Sequence, residues 1–230
     1  MQRGETIVGI RTVDEYAGQS GVRIAATQLG NQYTAHRAKK IVDEWCEFFS
    51  AGPSPITDLS FTSRTPRRLF ESLAAQVQLN MLRVKWGNYE SLDALEEMHE
   101  LTTLRLGGAS SLRSLAPLAR LPQLRVLGVE SLRYVHDLTP LGSLLELRDL
   151  GVGGDWKSPR IAHVDSFGFL RNLKKLERLI LHTIIVDDLD YSPLLSLDSL
   201  TEVRVMAARG MRPTHDELSA AIPALKSRAR

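Results

Sequence analysis

One three-point pattern dominates this chain: an apolar residue, two others, an apolar residue, one other, and a third apolar residue. It occurs as Ile56/Leu59/Phe61, Leu79/Leu82/Val84, Leu101/Leu104/Leu106, Leu124/Leu127/Val129, Leu147/Leu150/Val152, Leu176/Leu179/Leu181 and Leu200/Val203/Val205. Successive first positions lie 23, 22, 23, 23, 29 and 24 residues apart. A pattern held in phase through six steps is a structural repeat, and a repeat of this length constrains the fold more than any single motif. The second half of each unit recurs too. Leu112, Leu115, Leu118 and Leu121 precede the triplet at Leu124, and Val135, Leu138, Leu141 and Leu144 precede the one at Leu147. Val164, Phe167, Leu170 and Leu173 do the same before Leu176.

The last two positions of each triplet alternate with period two, as a strand does. Apolar residues at every third position suit a short helix or 3₁₀ turn with one face inward. One such unit cannot bury its own leucines, and stacked units can. The predicted fold is therefore an α/β solenoid: a curved parallel sheet on the concave side and short helices or 3₁₀ turns on the convex side. Aromatic residues make up only 6% of a chain that is 43% hydrophobic, so the core must be aliphatic. Parallel sheets are ordinarily covered on both faces, whereas this one would leave its outer face open.

The stretch LTTLRLGGASSLRSLAPLARLPQLRVL resembles the short leucine-rich repeats of the internalin and phosphatase-regulator type, and DLTPLGSLLEL and YSPLLSLDSL repeat its convex half. The resemblance covers residues 54–208. It implies the solenoid fold and a shared mode of binding rather than a particular ligand. The chain departs from the family at the loop position that usually carries Asn or Cys, which here is Arg64, Gly87, Ala109, Leu132, Asp155, Ile184 and Ala208. With no asparagine ladder, the backbone groups of those loops must bond to water or to one another.

Both ends of such an array expose apolar surface. From Thr34, a plausible N-cap, Ala38, Ile41, Val42, Trp45, Phe48 and Phe49 follow at helical spacing as far as Ser50, and Gly52, Pro53 and Pro55 end the helix. The segments Thr6 to Val13 and Gly21 to Thr27 alternate like strands around a turn-rich stretch and read as a hairpin. At the far end Thr214-His-Asp-Glu217 is a capping box before Leu218, Ile222 and Leu225. The organisation expected is a hairpin and capping helix over 1–53, about seven repeats over 54–208, and a capping helix and tail over 209–230.

Catalysis requires convergent polar groups, and none is apparent. The six histidines fall at unrelated positions in different units, and no HExxH, CxxC, GxSxG or phosphate-loop motif occurs. Asp187, Asp188 and Asp190 have poor spacing for Ca²⁺ and read as a solvated loop. No cofactor and no enzymatic activity are expected. The single cysteine, Cys46, sits among Trp45, Phe48 and Phe49 and reads as a small buried hydrophobe. The N-terminal residues lack the apolar segment of a signal peptide. The apolar stretch Leu176 to Val186 is too short to span a bilayer. These readings predict a cytoplasmic chain with no membrane partner.

The expected partner is another macromolecule. The central outward residue of each triplet is Ser60, Arg83, Arg105, Gly128, Gly151, Ile180 and Arg204, and the next outward position is Thr62, Lys85, Gly107, Glu130, Gly153, His182 and Met206. Three candidate features follow. Arg83, Lys85 and Arg105 form a basic patch. Gly107, Gly108, Gly128, Gly151, Gly153 and Gly154 smooth the middle of the face, where a partner can approach closely. Trp86, Tyr89, Tyr134 and Trp156 fall just beyond their strands on one rim, beside a six-residue excess between Gly153 and His163. Tryptophan and tyrosine are frequent interface anchors, and insertions in repeat proteins often collect on the binding face. The leading expectation is a protein-binding module of adaptor, inhibitor or immunity type. The alternative is a nucleic-acid binder using Arg83, Lys85 and Arg105 with the rim aromatics, against which the formal net charge of only +2 argues.

Overall fold

The computed structural model describes residues 8–154 and 160–225. Its strands in chain order are β1 (Val8–Ile10), β2 (Gly21–Ile24), β3 (Asp58–Thr65), β4 (Met81–Gly87), β5 (Thr103–Leu106), β6 (Val126–Val129), β7 (Asp149–Gly153), β8 (Ala162–Val164), β9 (Arg178–His182), β10 (Ile184–Val186) and β11 (Glu202–Val205). Three helices accompany them: α1 (Ala35–Ser50), α2 (Arg67–Glu71) and α3 (His215–Ala221). Nine strands form one parallel sheet in the order β1-β2-β3-β4-β5-β6-β7-β9-β11. On the other side of each coil the chain returns through 3₁₀ turns such as Ala116–Arg120, Thr139–Ser143, Gly168–Asn172 and Ser192–Ser196.

The triplet predicts this register residue for residue. Leu59, Leu82, Leu104, Leu127, Leu150, Leu179 and Val203 are directly paired from strand to strand and all are fully buried. The convex leucines Leu112, Leu115, Leu118 and Leu121 meet them from the opposite side with no exposure. Each buried leucine contributes about 1.5–3 kcal/mol of apolar transfer, and only the neighbouring coil makes that burial possible. The last triplet is weaker. Leu200 and Val205 are half-buried, and α3 and the Val203–Leu225 bridge close that end. The capping box of α3 forms as the sequence predicts, with Thr214 Oγ1 accepting from Glu217 N–H and Glu217 Oε2 accepting from Thr214 N–H.

The loops settle their backbone groups without asparagine. Ala109 N–H donates to the Glu130 carbonyl at 2.9 Å and Leu132 N–H to the Gly153 carbonyl at 3.0 Å, so each coil is hydrogen-bonded to the next. The side chains at those positions are then free to be apolar, and Ala109, Leu132 and Ile184 are buried.

The N-terminal region corrects the expectation of a hairpin. β1 pairs with β2 in parallel, Val8 with Val22 and Ile10 with Ile24, and β2 pairs in parallel with β3. The chain crosses between them through the 3₁₀ turn Val13–Glu15, and Tyr16 lies edge-on to Phe48 at 5.2 Å. A hairpin would reverse the strand. This crossover instead continues the solenoid, so among the described residues the sheet already includes β1 and β2 ahead of the first leucine triplet. α1 is capped by Thr34 as expected, its Oγ1 accepting from Arg37 N–H. It lies between β2 and β3 in the chain and packs against α2 and the 3₁₀ turn Ser72–Ala75. Trp45 and Phe49 stack beneath it, and Trp45 Nε1 donates to the Arg11 carbonyl at 2.8 Å. Buried Gln76 ties its C-terminal end to the next coil by donating to the Phe49 carbonyl and accepting from Ser54.

A second sheet was not foreseen. β8 and β10 pair in parallel as a separate two-stranded sheet. Ala162, Val164, Ile184 and Val186 face inward, and His163 Nδ1 lies 2.7 Å from Asp187 Oδ1.

Candidate functional site

The central outward residues form one continuous row across the sheet: Arg23, Ser60, Arg83, Arg105, Gly128, Gly151, Ile180 and Arg204 are successive register partners. Neighbouring strands are about 4.8 Å apart, which makes this row a ladder of closely spaced side chains. A parallel row two residues earlier holds Asp58, Met81, Thr103, Val126, Asp149, Arg178 and Glu202. The row two residues later carries Thr62, Lys85, Gly107, Glu130, Gly153 and His182.

Charge divides this face into two halves. In the C-terminal half the ions neutralise one another in a chain. Arg105 Nη2 meets Asp149 at 3.0 Å, Arg178 Nη1 meets both oxygens of Asp149 at 3.0 and 3.2 Å, and Arg178 Nε meets Glu202 at 2.9 Å. Arg204 Nη2 completes it at 3.1 Å from Glu202. The hydrogen bond from Arg178 to Glu202, foremost, together with the Asp149 charge, raises the Arg178 pKa above its ordinary value. Arg105, expected to belong to an open basic patch, is thus committed to a partner 44 residues away in sequence. It reaches that partner by crossing β6 over Gly128, where an added Cβ would lie 3.5 Å from the Arg105 side chain.

In the N-terminal half the cations stay open. Arg23, Arg83 and Lys85 are exposed and carry no ion pair among the described residues. With Ser60, Thr62, Glu130 and the Asp149-paired Arg105 they line a shallow depression of about 510 Å³. Sequence alternation alone does not bring Arg23 into this row, because it predicts β2 as one arm of a hairpin. The pattern that finds it is Val22 and Ile24 in phase with Leu59 and Phe61.

The glycines separate into two kinds. At Gly107 a Cβ would lie 2.2 Å from the Lys85 carbonyl oxygen, and at Gly153 it would lie 1.9 Å from the His182 carbonyl oxygen. Neighbouring backbone, not a ligand, excludes side chains there. Gly154 is closed in the same way by Thr183 and Arg160, and Gly108 has φ +55° and abuts Trp86. Gly151 has nothing within 4 Å of its would-be Cβ, and Gly128 meets only Arg105. These two glycines, with Glu130, Ile180 and His182, leave an open hollow of about 110 Å³ at mid-sheet.

The rim holds two of its four expected aromatics at the surface. Trp86 is 36% exposed and Tyr134 46%. The Arg64 guanidinium lies 5.6 Å from the Trp86 ring centroid, and the Arg113 and Arg133 guanidiniums each lie 5.4 Å from that of Tyr134. Tyr89 is a correction. It is buried and stacks on Phe70 at 4.4 Å, and burial pushes its phenol pKa well up. It belongs to the core. Trp156 lies outside the described residues. Below the rim a depression of about 540 Å³ gathers Arg133, His136, Arg160 and His163. Asp190 caps the turn at Ser192 and lies 3.5 Å from Arg171, so the aspartate loop is occupied with local bonds. Among the described residues no group of three or more His, Cys, Asp or Glu is placed to hold a metal ion. No helix among them is long and apolar enough to cross a membrane.

No family model matches the sequence, and no curated protein matches it. Solved structures do match. An internalin of Listeria monocytogenes (inlF) superposes with a TM-score of 0.56 at 17% identity, over 79% of this chain and 46% of its own. A leucine-rich-repeat protein of Leptospira interrogans superposes with a TM-score of 0.54 at 15% identity, over 74% of this chain and 47% of its own. The chain therefore spans about half the length of either, and at these identities the likeness establishes the fold.

Proposed function

We propose that this leucine-rich-repeat solenoid is a non-enzymatic binding module that holds a protein partner on its concave sheet and ascending rim, in an adaptor, inhibitor or immunity-type role. One observation carries the reading. The outward side of a nine-stranded parallel sheet carries exposed Arg23, Arg83, Lys85 and Arg105 rather than a covering layer of helices. A parallel sheet normally packs both faces. A face left open and furnished with arginine and flanking Trp86 and Tyr134 has the composition of interface hot spots. The residues we propose to carry the contact are Arg83, Lys85, Trp86, Arg105, Gly128, Glu130, Tyr134, Gly151 and His182. The likeness to proteins of internalin type supports the same reading.

A nucleic-acid reading would rest on Arg83 and Lys85 with the rim aromatics. The commitment of Arg105 to Asp149 removes one of its three cations.

The test is capture of a partner from the native source by the immobilised chain, followed by mass spectrometry and repeated with variants. Gly128→Trp and Gly151→Trp add bulk at the hollow from positions where a Cβ meets only the Arg105 side chain or nothing within 4 Å, and should cut retention about tenfold or more. Leu145→Ser, at an exposed site just after the 3₁₀ turn Thr139–Ser143, should leave it unchanged. Retention by the concave variants with loss in Leu145→Ser would move the interface to the convex side and overturn the proposal.

A further inference from the structure

The cations of the concave face are treated in two ways, and the contrast is informative because both halves share one sheet. Arg105, Arg178 and Arg204 are each satisfied by Asp149 or Glu202. Arg23, Arg83 and Lys85 have no such answer among the described residues. Arg23 and Arg83 stand two strands apart in one register row, roughly 10 Å. Lys85 is two residues along β4, roughly 7 Å from Arg83 at strand rise. Like charges held this close on one face repel unless an opposite charge meets them. The depression they line is open and shallow, and its polar floor is Ser60 and Thr62.

We infer that this N-terminal third of the concave face docks a short acidic segment of the partner protein, its carboxylates meeting Arg23, Arg83 and Lys85. The inference rests on the protein-binding reading above and names the chemistry of the partner. Charge complementarity selects the occupant. Arg105 also lines the depression beside Arg83 but is held by Asp149, so the open cations form a compact triangle and not a track, and acidic groups bound it on two sides: Asp58 on β3, two residues before Ser60, and Glu130 just after β6. A phosphate backbone carries charge continuously and would run past those carboxylates in either direction. Two or three side-chain carboxylates spaced as on an extended strand or one helical turn fit within them. The self-neutralised half beyond Arg105 then offers neutral contact area to the rest of the partner.

The experiment measures fluorescence anisotropy of labelled hexaglutamate, hexaglutamine and a single-stranded octanucleotide with the full chain. Hexaglutamate should bind and weaken with added salt, and hexaglutamine should not bind. The pair Arg83→Glu with Lys85→Glu should weaken hexaglutamate about tenfold or more, since reversal both removes attraction and adds repulsion. Arg204→Gln, altering a cation already paired at the other end of the same row, should change it less than about twofold. No hexaglutamate binding, or equal loss in Arg204→Gln, overturns the inference. Tighter binding of the octanucleotide overturns it in favour of phosphate. The captured partner separates this inference from the reading beneath it. If Gly151→Trp loses that partner while the doubly reversed chain keeps it, the acidic-segment inference fails alone. If both variants keep it, both fail.

Discussion

Gly151 and Gly153 stand two residues apart on β7, and an added methyl group meets open space at one and a carbonyl oxygen at 1.9 Å at the other. At Gly153 the β7 and β9 backbones approach so closely that any Cβ must push the strands apart. Gly153→Ala should therefore lower stability by about 2–4 kcal/mol, whereas Gly151→Ala should change it by less than about 0.5 kcal/mol. Urea unfolding followed by circular dichroism measures both. Equal midpoints would mean that the β7–β9 contact yields easily. The sequence gathers these glycines into one group because spacing reports which face a residue is on and not how near the next coil's carbonyl lies. Tyr89 shows the same limit. Its position just beyond a strand predicts a rim residue, yet the chain turns it inward onto Phe70. The outward row Ser60, Arg83, Arg105, Gly128, Gly151, Ile180 and Arg204 was legible because the buried leucines fix its phase.

Elements were legible where periodicity determines them and illegible where pairing direction does. Alternation of Val22 and Ile24 identifies β2 as a strand but is equally compatible with parallel and antiparallel neighbours. The leading leucine of the triplet, which would have placed β2 in the repeat, is replaced by Gln19. The β8–β10 sheet escaped notice because its strands are three residues each, too short for a period. α3 lay at the other extreme, since its capping box names both partners. The hydrogen bonds from Thr214 N–H, first, and Thr214 Oγ1 hold the Glu217 carboxyl pKa below its ordinary value. A folded-state pKa below the unfolded one gives stability that is present above the unfolded value and lost as pH falls through the folded one. Protection of α3 amides from hydrogen exchange should accordingly fade as the solution is acidified through the carboxylate range. Thr214→Ala, which deletes the Oγ1 hydrogen bonds and keeps the backbone one, should weaken that acid dependence and cost about 1 kcal/mol of helix stability. Unchanged exchange in either arm would show that packing of Leu218, and not the box, holds the helix.

Across the whole molecule the solenoid is a row of neighbours, so stability is a sum of adjacent interfaces and a break at the centre separates two halves. Leu127 lies mid-row with no exposure. Leu127→Ala should cost about 2–5 kcal/mol by opening a cavity between coils, and calorimetry should show a lower or split transition. A single transition at an unchanged midpoint would mean that the coils are not cooperatively stacked through that leucine.

Charge is also distributed at this scale. Asp149 divides the concave face because it alone holds both Arg105 and Arg178, from a side chain 20% exposed. If the open cations of the N-terminal third set where an acidic segment docks, then releasing Arg105 should extend that region toward β5. Asp149→Asn keeps the side chain's size, removes its charge and leaves Arg178 with Glu202. Hexaglutamate should then bind about threefold more tightly, a gain of the size expected for one partly screened ion pair, with a steeper fall as salt is added. Stability should drop by about 1 kcal/mol or less, since the guanidiniums Asp149 holds are partly exposed and screened by solvent. The two changes must run in opposite directions. An Asp149→Asn chain that loses stability without gaining affinity would show that the ion chain serves only to hold the coils together and that the division of charge along the sheet does not direct binding.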